Sequence, residues 1–108
     1  MVDFYKEPGK LYTVLMVDPD APSAANPVNK YWLHMLIVNT DQTVAAFHPS
    51  NPPVGSGLHR YYFKIYEQPK RIDSKDLIVS RAKFNPKEFV TTHGLELIGC
   101  IHYKTERL

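Results

Sequence analysis

The order of hydrophobic and polar residues along the chain predicts five strands. Residues 11–17 (LYTVLMV) and 31–38 (YWLHMLIV) are almost continuously apolar, which is typical of strands buried on both faces. Residues 58–67 alternate instead, with aromatic residues and isoleucine on one face. Shorter apolar segments at 43–47 and 95–103 predict two more strands. The pattern therefore favours a mainly β domain with antiparallel strands.

One short helix is predicted near residues 86–93. Asn85 is a favoured N-cap, Pro86 suits the first helical position, and Glu88 follows the cap by three residues. Gly94 fits the position after the last turn, where a residue in the left-handed conformation ends many helices. These start and stop signals make this the one helix that we expect.

Composition places the chain among ordinary globular domains. It has 108 residues, of which 44% are hydrophobic and 22% are charged, and this fits a single domain over residues 1–108. The formal net charge of +2, from 13 Lys and Arg against 11 Asp and Glu, does not indicate a nucleic-acid-binding protein. No apolar stretch approaches the roughly 20 residues of a membrane span, and the N-terminus lacks the apolar centre of a signal peptide. We therefore expect a cytoplasmic domain.

The chain has one cysteine, Cys100. A single cysteine excludes a disulfide within the chain and a metal site built from several cysteines. Because Cys100 lies in the apolar segment 95–103, we expect a buried and unreactive thiol.

Two long loops rich in proline, at 18–27 and 48–57, each follow a predicted strand. Proline lacks a backbone donor and restricts the residue before it, so neither segment fits a regular element. Loops of this length inside a compact domain are usually functional. The second contains Gly-Ser-Gly at 55–57, whose backbone N–H groups could bind an anion, although a simple turn explains the same residues.

Polar residues in or beside the apolar strands are the candidates for chemistry, because burying them costs free energy unless they are paired. His34 lies inside the second strand, His59 follows the glycine loop, and Asp18 and Asp20 follow the first strand. If these strands are neighbours, the two imidazoles and one or two carboxylates converge at one rim. For each histidine alone, a structural role with a hydrogen bond to backbone is the alternative. Local spacing supports neither a zinc site nor a serine hydrolase built on Ser56.

Three segments together resemble the phosphatidylethanolamine-binding protein family, also called the Raf kinase inhibitor family. They are LYTVLMVDPDAPS (11–23), WLH (32–34) and PPVGSGLHRYYFKIYEQ (52–68), in the order and spacing of that family. The resemblance implies an antiparallel β-sandwich with a small anion pocket at one end. By position, the ligand-binding residues would be Asp18, Ala21, Pro22, Trp32, His34, Pro52, Pro53, Gly55, Gly57, Leu58, His59 and Tyr61.

The resemblance implies a binding protein and not an enzyme, with no cofactor. Its ligand would be a phosphate-containing small molecule or a phospholipid head group, and its protein partner a kinase, a protease or an assembly subunit. Two alternatives stay open: a structural subunit of a larger assembly with a relic pocket, and a weak hydrolase that uses His59 and Asp18. Neither a nucleic-acid ligand nor a membrane span is expected.

The chemistry of the residues agrees with this interpretation. His34, His59 and the backbone N–H groups of 55–58 would donate to phosphate oxygens, and Asp18 would orient one imidazole. The resemblance implies a sizeable segment before the block at 11–23, whereas ten residues of the sequence precede this block. We therefore expect an exposed sheet edge or core surface unless association covers it.

Overall fold

Five strands and one helix form the regular structure in the computed structural model, which describes residues 4–18, 32–48, 54–55, 57, 59–73, 75, 77, 81 and 84–105. The elements are β1 (Leu11–Asp18), β2 (Trp32–Val38), β3 (Gln42–Ala45), β4 (His59–Gln68), α1 (Pro86–His93) and β5 (Glu96–Thr105). The predicted mainly β fold with one short helix is confirmed, and the strand ends lie within two residues of the predicted ones. Of the two layers of a sandwich, the described residues supply one sheet.

The sheet has the strand order β3-β2-β1-β4-β5, and every neighbouring pair is antiparallel. The central strand β1 is buried on both faces, which explains its continuous apolar sequence. Leu15 and Val17 of β1 lie in a core cluster on one face, with Phe89 of α1. Val14 and Met16 lie in the cluster on the other face. The sheet therefore has an apolar core on each side of β1.

The helix α1 begins and ends as its sequence predicts. The Asn85 side chain accepts a hydrogen bond from the Glu88 backbone N–H at 3.1 Å, and Pro86 occupies the first turn. Gly94 ends the helix with φ 61°, a left-handed conformation that favours glycine. No helix among the described residues is long and apolar enough to cross a membrane.

A buried polar network joins the turn between β2 and β3 to the end of β4. Asn39 opens that turn with φ 53°, and its side chain bonds both backbone groups of Ile72, at 2.7 and 2.8 Å. Gln68 bonds the Asn39 side chain at 3.0 Å and accepts from the Thr13 hydroxyl at 2.7 Å. Gln68 also accepts from the Asn39 backbone N–H at 2.8 Å. The network therefore fixes the segment after β4 against the sheet.

The prediction that Cys100 is a buried thiol is wrong, because the structure places it on the exposed surface of β5. The apolar sequence around Cys100 predicted a covered strand, but β5 is an edge strand of the sheet that the described residues form. Leu97, Ile98 and Ile101 of the same strand are also about half exposed. An edge position leaves apolar residues of β5 in contact with solvent.

Candidate functional site

The candidate site is organised by a β-bulge in β2. Met16 pairs with Met35, but the next residue of β1, Val17, pairs with Leu33, so His34 is an additional residue in β2. A bulge of this kind redirects a side chain that would otherwise follow the strict alternation of a strand. Leu33 and Met35 consequently pack into the clusters on opposite faces of the sheet. His34, between Leu33 and Met35 in the sequence, has no partner residue on β1 in the register of the two strands.

Aromatic rings surround the His34 imidazole. The Tyr61 ring of β4 lies edge-on at 5.0 Å between centroids, and the Trp32 ring lies edge-on at 4.7 Å. The His48 ring packs against Trp32 at 5.0 Å. Asp18, the last residue of β1, pairs with Trp32 in the β-ladder and is 2% exposed. Four predicted site residues, Asp18, Trp32, His34 and Tyr61, therefore lie together in the described structure.

Two hydrogen bonds fix the orientation of His34. Its Nδ1 lies 2.7 Å from the carbonyl oxygen of His48, and the His48 backbone N–H donates to the His34 carbonyl at 2.8 Å. A carbonyl only accepts, so Nδ1 carries the proton. In the neutral ring Nε2 is then the acceptor, and on protonation it becomes a donor. At Nδ1 the orienting partner is therefore the His48 carbonyl.

Burial lowers the pKa of His34 below its ordinary value of 6.5. The hydrogen bond to the His48 carbonyl and the charge of Asp18 act in the opposite direction and raise this pKa, but they do not outweigh desolvation. The nearby charges of His48 and Arg81 lower the pKa further. The imidazole of His34 is therefore neutral at neutral pH.

The lowered pKa of His34 makes stability depend on pH. The unfolded chain binds a proton at this histidine more readily than the folded chain, so acidification below about pH 6.5 favours unfolding. We expect the thermal midpoint of the wild type to fall between about pH 7.5 and about pH 5.5. The His34→Asn variant keeps a donor for the His48 carbonyl but cannot titrate, so its midpoint will fall less. Equal falls in differential scanning calorimetry would contradict the role of His34.

Arg81 supports the bulge from outside the strands. Its guanidinium donates to the carbonyl oxygens of Leu33, His34 and Ala46 at 2.9, 3.2 and 2.7 Å. It also lies 5.5 Å from the centroid of the Trp32 ring, a cation–π distance. At a bulge, backbone carbonyls lose hydrogen-bond partners on the neighbouring strand, and the Arg81 guanidinium donates to these carbonyls instead. No local sequence pattern indicates this role of Arg81 or the role of the His48 carbonyl.

The remaining predicted site residues are described in part or not at all. His59 begins β4 and pairs through its backbone with Thr105, but its side chain lies outside the described structure. Gly55 and Gly57 have φ angles of 75° and 88°, left-handed conformations that favour glycine. Five further predicted ligand-binding residues lie outside the described structure: Ala21, Pro22, Pro52, Pro53 and Leu58.

The described site offers a neutral imidazole, a buried carboxylate and aromatic surface. Within the described part of the chain, no three histidine, cysteine, aspartate or glutamate side chains lie close enough together to hold a metal ion. An imidazole with one nitrogen fixed to a carbonyl can present the other to a ligand, which is how histidines are oriented in binding sites. Through its second nitrogen, an imidazole held in this way is able to form a hydrogen bond with an anion.

Comparison with known proteins assigns the chain to a family. Residues 2–46 match the family model described as phosphatidylethanolamine-binding protein. A phosphatidylethanolamine-binding protein homolog of Acanthamoeba polyphaga mimivirus is 50% identical over 103 residues, which cover 89% of this chain and 72% of that protein. The 26 kDa secreted antigen of Toxocara canis is 38% identical over 107 residues, which cover 87% of this chain.

Solved structures share the fold. The carboxypeptidase Y inhibitor, solved in complex with its cognate proteinase, matches 98% of this chain with a TM-score of 0.81 at 23% identity. The chain spans 64% of that inhibitor and 41% of the Toxocara antigen. Further solved structures, among them phosphatidylethanolamine-binding proteins of two Plasmodium species, match with TM-scores of 0.67 to 0.70. From the identity and coverage of the mimivirus homolog, the chain belongs to the phosphatidylethanolamine-binding protein family.

Proposed function

We propose that this chain binds a phosphate-like anion, either free or as a phospholipid head group, at the site formed by Asp18, Trp32, His34 and Tyr61. Binding occurs without catalysis. The observation that carries the proposal is the fixed imidazole of His34, which is 5% exposed, bonded at Nδ1 to the His48 carbonyl and packed edge-on against Tyr61.

The charge of the ligand and the proton of His34 are coupled in this proposal. Burial disfavours the imidazolium in the free protein, and Asp18 acts against that effect. An anion beside Nε2 adds a second negative charge and a charge-assisted hydrogen bond, so it draws a proton onto the ring. The carboxylate of Asp18 therefore serves the site by favouring the cationic form of His34, although it repels the anion directly.

The proposal includes the start of β4 and the glycine segment. Positions 59 and 61 have the same parity in β4, and residues of equal parity belong to one face of a strand. His59 is therefore assigned as the second imidazole of the site. The left-handed Gly55 and Gly57 are suited to turning successive backbone N–H groups toward an anion. Together these groups offset the negative charge of the ligand from several sides.

Through such a site we propose that the protein modulates a signalling kinase or a protease in the cytoplasm. Inhibition of a protease is the candidate with a specific observation behind it. The structure of the carboxypeptidase Y inhibitor, solved with its cognate proteinase, matches this chain over nearly its whole length. An assay of carboxypeptidase activity with added protein tests this role, and undiminished activity at saturating protein would reject it.

Isothermal titration calorimetry with inorganic phosphate and with phosphoethanolamine tests the binding site. His34→Asn is expected to weaken binding about tenfold or more at about pH 5.5, because it removes one charge-assisted hydrogen bond. The deficit will be smaller at about pH 7.5, where the imidazole of the free protein is neutral. His93→Asn, at the end of α1, is the matched control and will bind like the wild type.

Comparing the variants at each pH removes the contribution from ionisation of phosphate itself. Tighter binding of phosphoethanolamine than of phosphate would identify a lipid head group as the better ligand, and equal binding would identify the phosphate group alone. Equal affinity of the wild type and His34→Asn for both probes would overturn the assignment of His34.

A further inference from the structure

Arg81 connects the two segments of the chain that hold the His34 imidazole. Its Nη1 donates to the Leu33 and His34 carbonyls of β2, at 2.9 and 3.2 Å, and its Nη2 donates to the Ala46 carbonyl after β3 at 2.7 Å. The main chain of Arg81 takes part as well, because its carbonyl accepts from the Leu33 backbone N–H at 2.7 Å. One residue therefore bonds both β2 and the segment that follows β3.

These two segments determine where the His34 ring lies. β2 carries the ring at its bulge, and the segment after β3 carries the His48 carbonyl that accepts from Nδ1 at 2.7 Å. Ala46, whose carbonyl accepts from Arg81, is two residues before His48 in the same segment. The separation between the imidazole and its acceptor is therefore constrained by the span of the Arg81 guanidinium.

Arg81 also contacts a second side chain of the site. Its guanidinium lies 5.5 Å from the centroid of the Trp32 ring, and the Trp32 ring lies edge-on to the His34 ring at 4.7 Å. A cation over an aromatic face restrains the position of the ring. Arg81 thus acts on the surroundings of the imidazole from the main chain and from the neighbouring ring.

The shape of the guanidinium suits this role. Its donors form a rigid planar fork, so two nitrogens can bond two segments at a fixed separation. A lysine ammonium has the same charge on one nitrogen at the end of a flexible stem, and it does not reproduce that span. Burial is the main cause that lowers the pKa of His34, and the charge of Arg81 acts in the same direction. The Arg81→Lys variant retains that charge, so it separates geometry from charge.

We propose that Arg81 is a positioning residue for anion binding. By joining the bulge of β2 to the segment after β3, it holds the His34 ring in the orientation in which Nε2 binds the anion. This inference rests on the proposed function and extends it, because it assigns part of the affinity to a residue that acts through His34. A ring that is already fixed loses less conformational freedom when the ligand binds.

Nitrogen NMR of the imidazole at about pH 7.5 tests the positioning without a ligand. In the wild type the neutral His34 ring carries its proton on Nδ1, because the His48 carbonyl accepts from that nitrogen. In Arg81→Lys we expect signals of both tautomers, since the acceptor is no longer held at a fixed distance. Arg71→Lys, on the exposed segment after β4, is the matched control and should retain the single tautomer. A single Nδ1-protonated form in Arg81→Lys would contradict the proposal.

Isothermal titration calorimetry with inorganic phosphate at about pH 5.5 tests the consequence for binding. Arg81→Lys is expected to weaken binding about fivefold, a loss comparable to that of one hydrogen bond, and Arg71→Lys to leave it unchanged. In the His34→Asn background the same substitution at Arg81 should weaken binding clearly less, because the residue through which Arg81 acts is gone. Equal losses in both backgrounds would overturn the proposal by assigning Arg81 to direct contact with the anion.

The calorimetry also separates this inference from the proposed function. A wild type that binds phosphate no more tightly than Arg81→Lys would overturn the inference alone, whereas a wild type that does not bind phosphate would overturn the anion site as well. Circular dichroism shows whether each variant is folded. Arg81→Gln, which also has a single donor nitrogen, replaces Arg81→Lys if that variant does not fold, and the same loss of the single tautomer and of affinity is expected.

Discussion

Leu15→Ala will lower the free energy of unfolding by about 3 to 5 kcal/mol, the usual loss for a leucine removed from a rigid core. Leu15 is fully buried at the middle of β1 and belongs to the cluster that includes Leu36 and Phe89. The strands on both sides of β1 prevent the backbone from closing around the missing atoms. Urea unfolding followed by circular dichroism measures the loss.

The matched control for this prediction is Leu97→Ala. The substitution is the same, but Leu97 lies on β5 with 53% of its surface exposed. Its removal should cost less than about 1 kcal/mol, because little apolar area returns to water. If the two variants lose equal stability, the core of this protein does not lie where the structure places it.

Asn39→Ala will destabilise the protein by about 3 kcal/mol or more, because it removes the centre of the buried polar network. Both backbone groups of Ile72 and the amide of Gln68 lose their hydrogen bonds to the Asn39 side chain. Each buried group left without a partner costs about 1 to 3 kcal/mol. Alanine also fits the left-handed backbone at this position poorly.

Asn39→Gly separates the two causes of that loss. Glycine accepts φ 53° without strain, so this variant reports the lost hydrogen bonds alone. We expect it to be more stable than Asn39→Ala by about 1 kcal/mol, yet well below the wild type. Thermal unfolding of the three proteins measures both differences. A glycine variant as stable as the wild type would show that the network contributes nothing.

Local sequence patterns were sufficient to predict most of the secondary structure. The continuous apolar segment of β1, the alternation in β4 and the caps of α1 each report a property of neighbouring residues, and the structure agrees with all three. The proximity of Asp18, His34 and Tyr61 followed from the family resemblance together with the strand assignments. These residues sit near strand ends that an antiparallel sheet brings together.

Features that depend on distant pairing were not predictable. The bulge at His34 arises from the register of β2 against β1, which no short segment of β2 encodes. Arg81 bonds the Leu33 carbonyl across 48 positions of the chain. The exposure of Cys100 depends on β5 being an edge strand. In each case the feature depends on residues that are far away in the sequence. The spacing of hydrophobic residues within one segment carries no information about such distant residues.

The central position of β1 has a consequence for motion at the site. A strand that is hydrogen-bonded on both sides opens only when both neighbours separate from it, so its amide protons exchange with solvent through the rarest openings of the molecule. Asp18 ends this strand, whereas the His48 carbonyl that holds His34 belongs to the irregular segment after β3. Both side chains of the site are carried on paired strands, since His34 lies in β2 and Asp18 ends β1, but the carbonyl that accepts from Nδ1 lies outside the sheet. Local opening of the segment after β3 therefore loosens the imidazole while the amide protons of β1 remain protected.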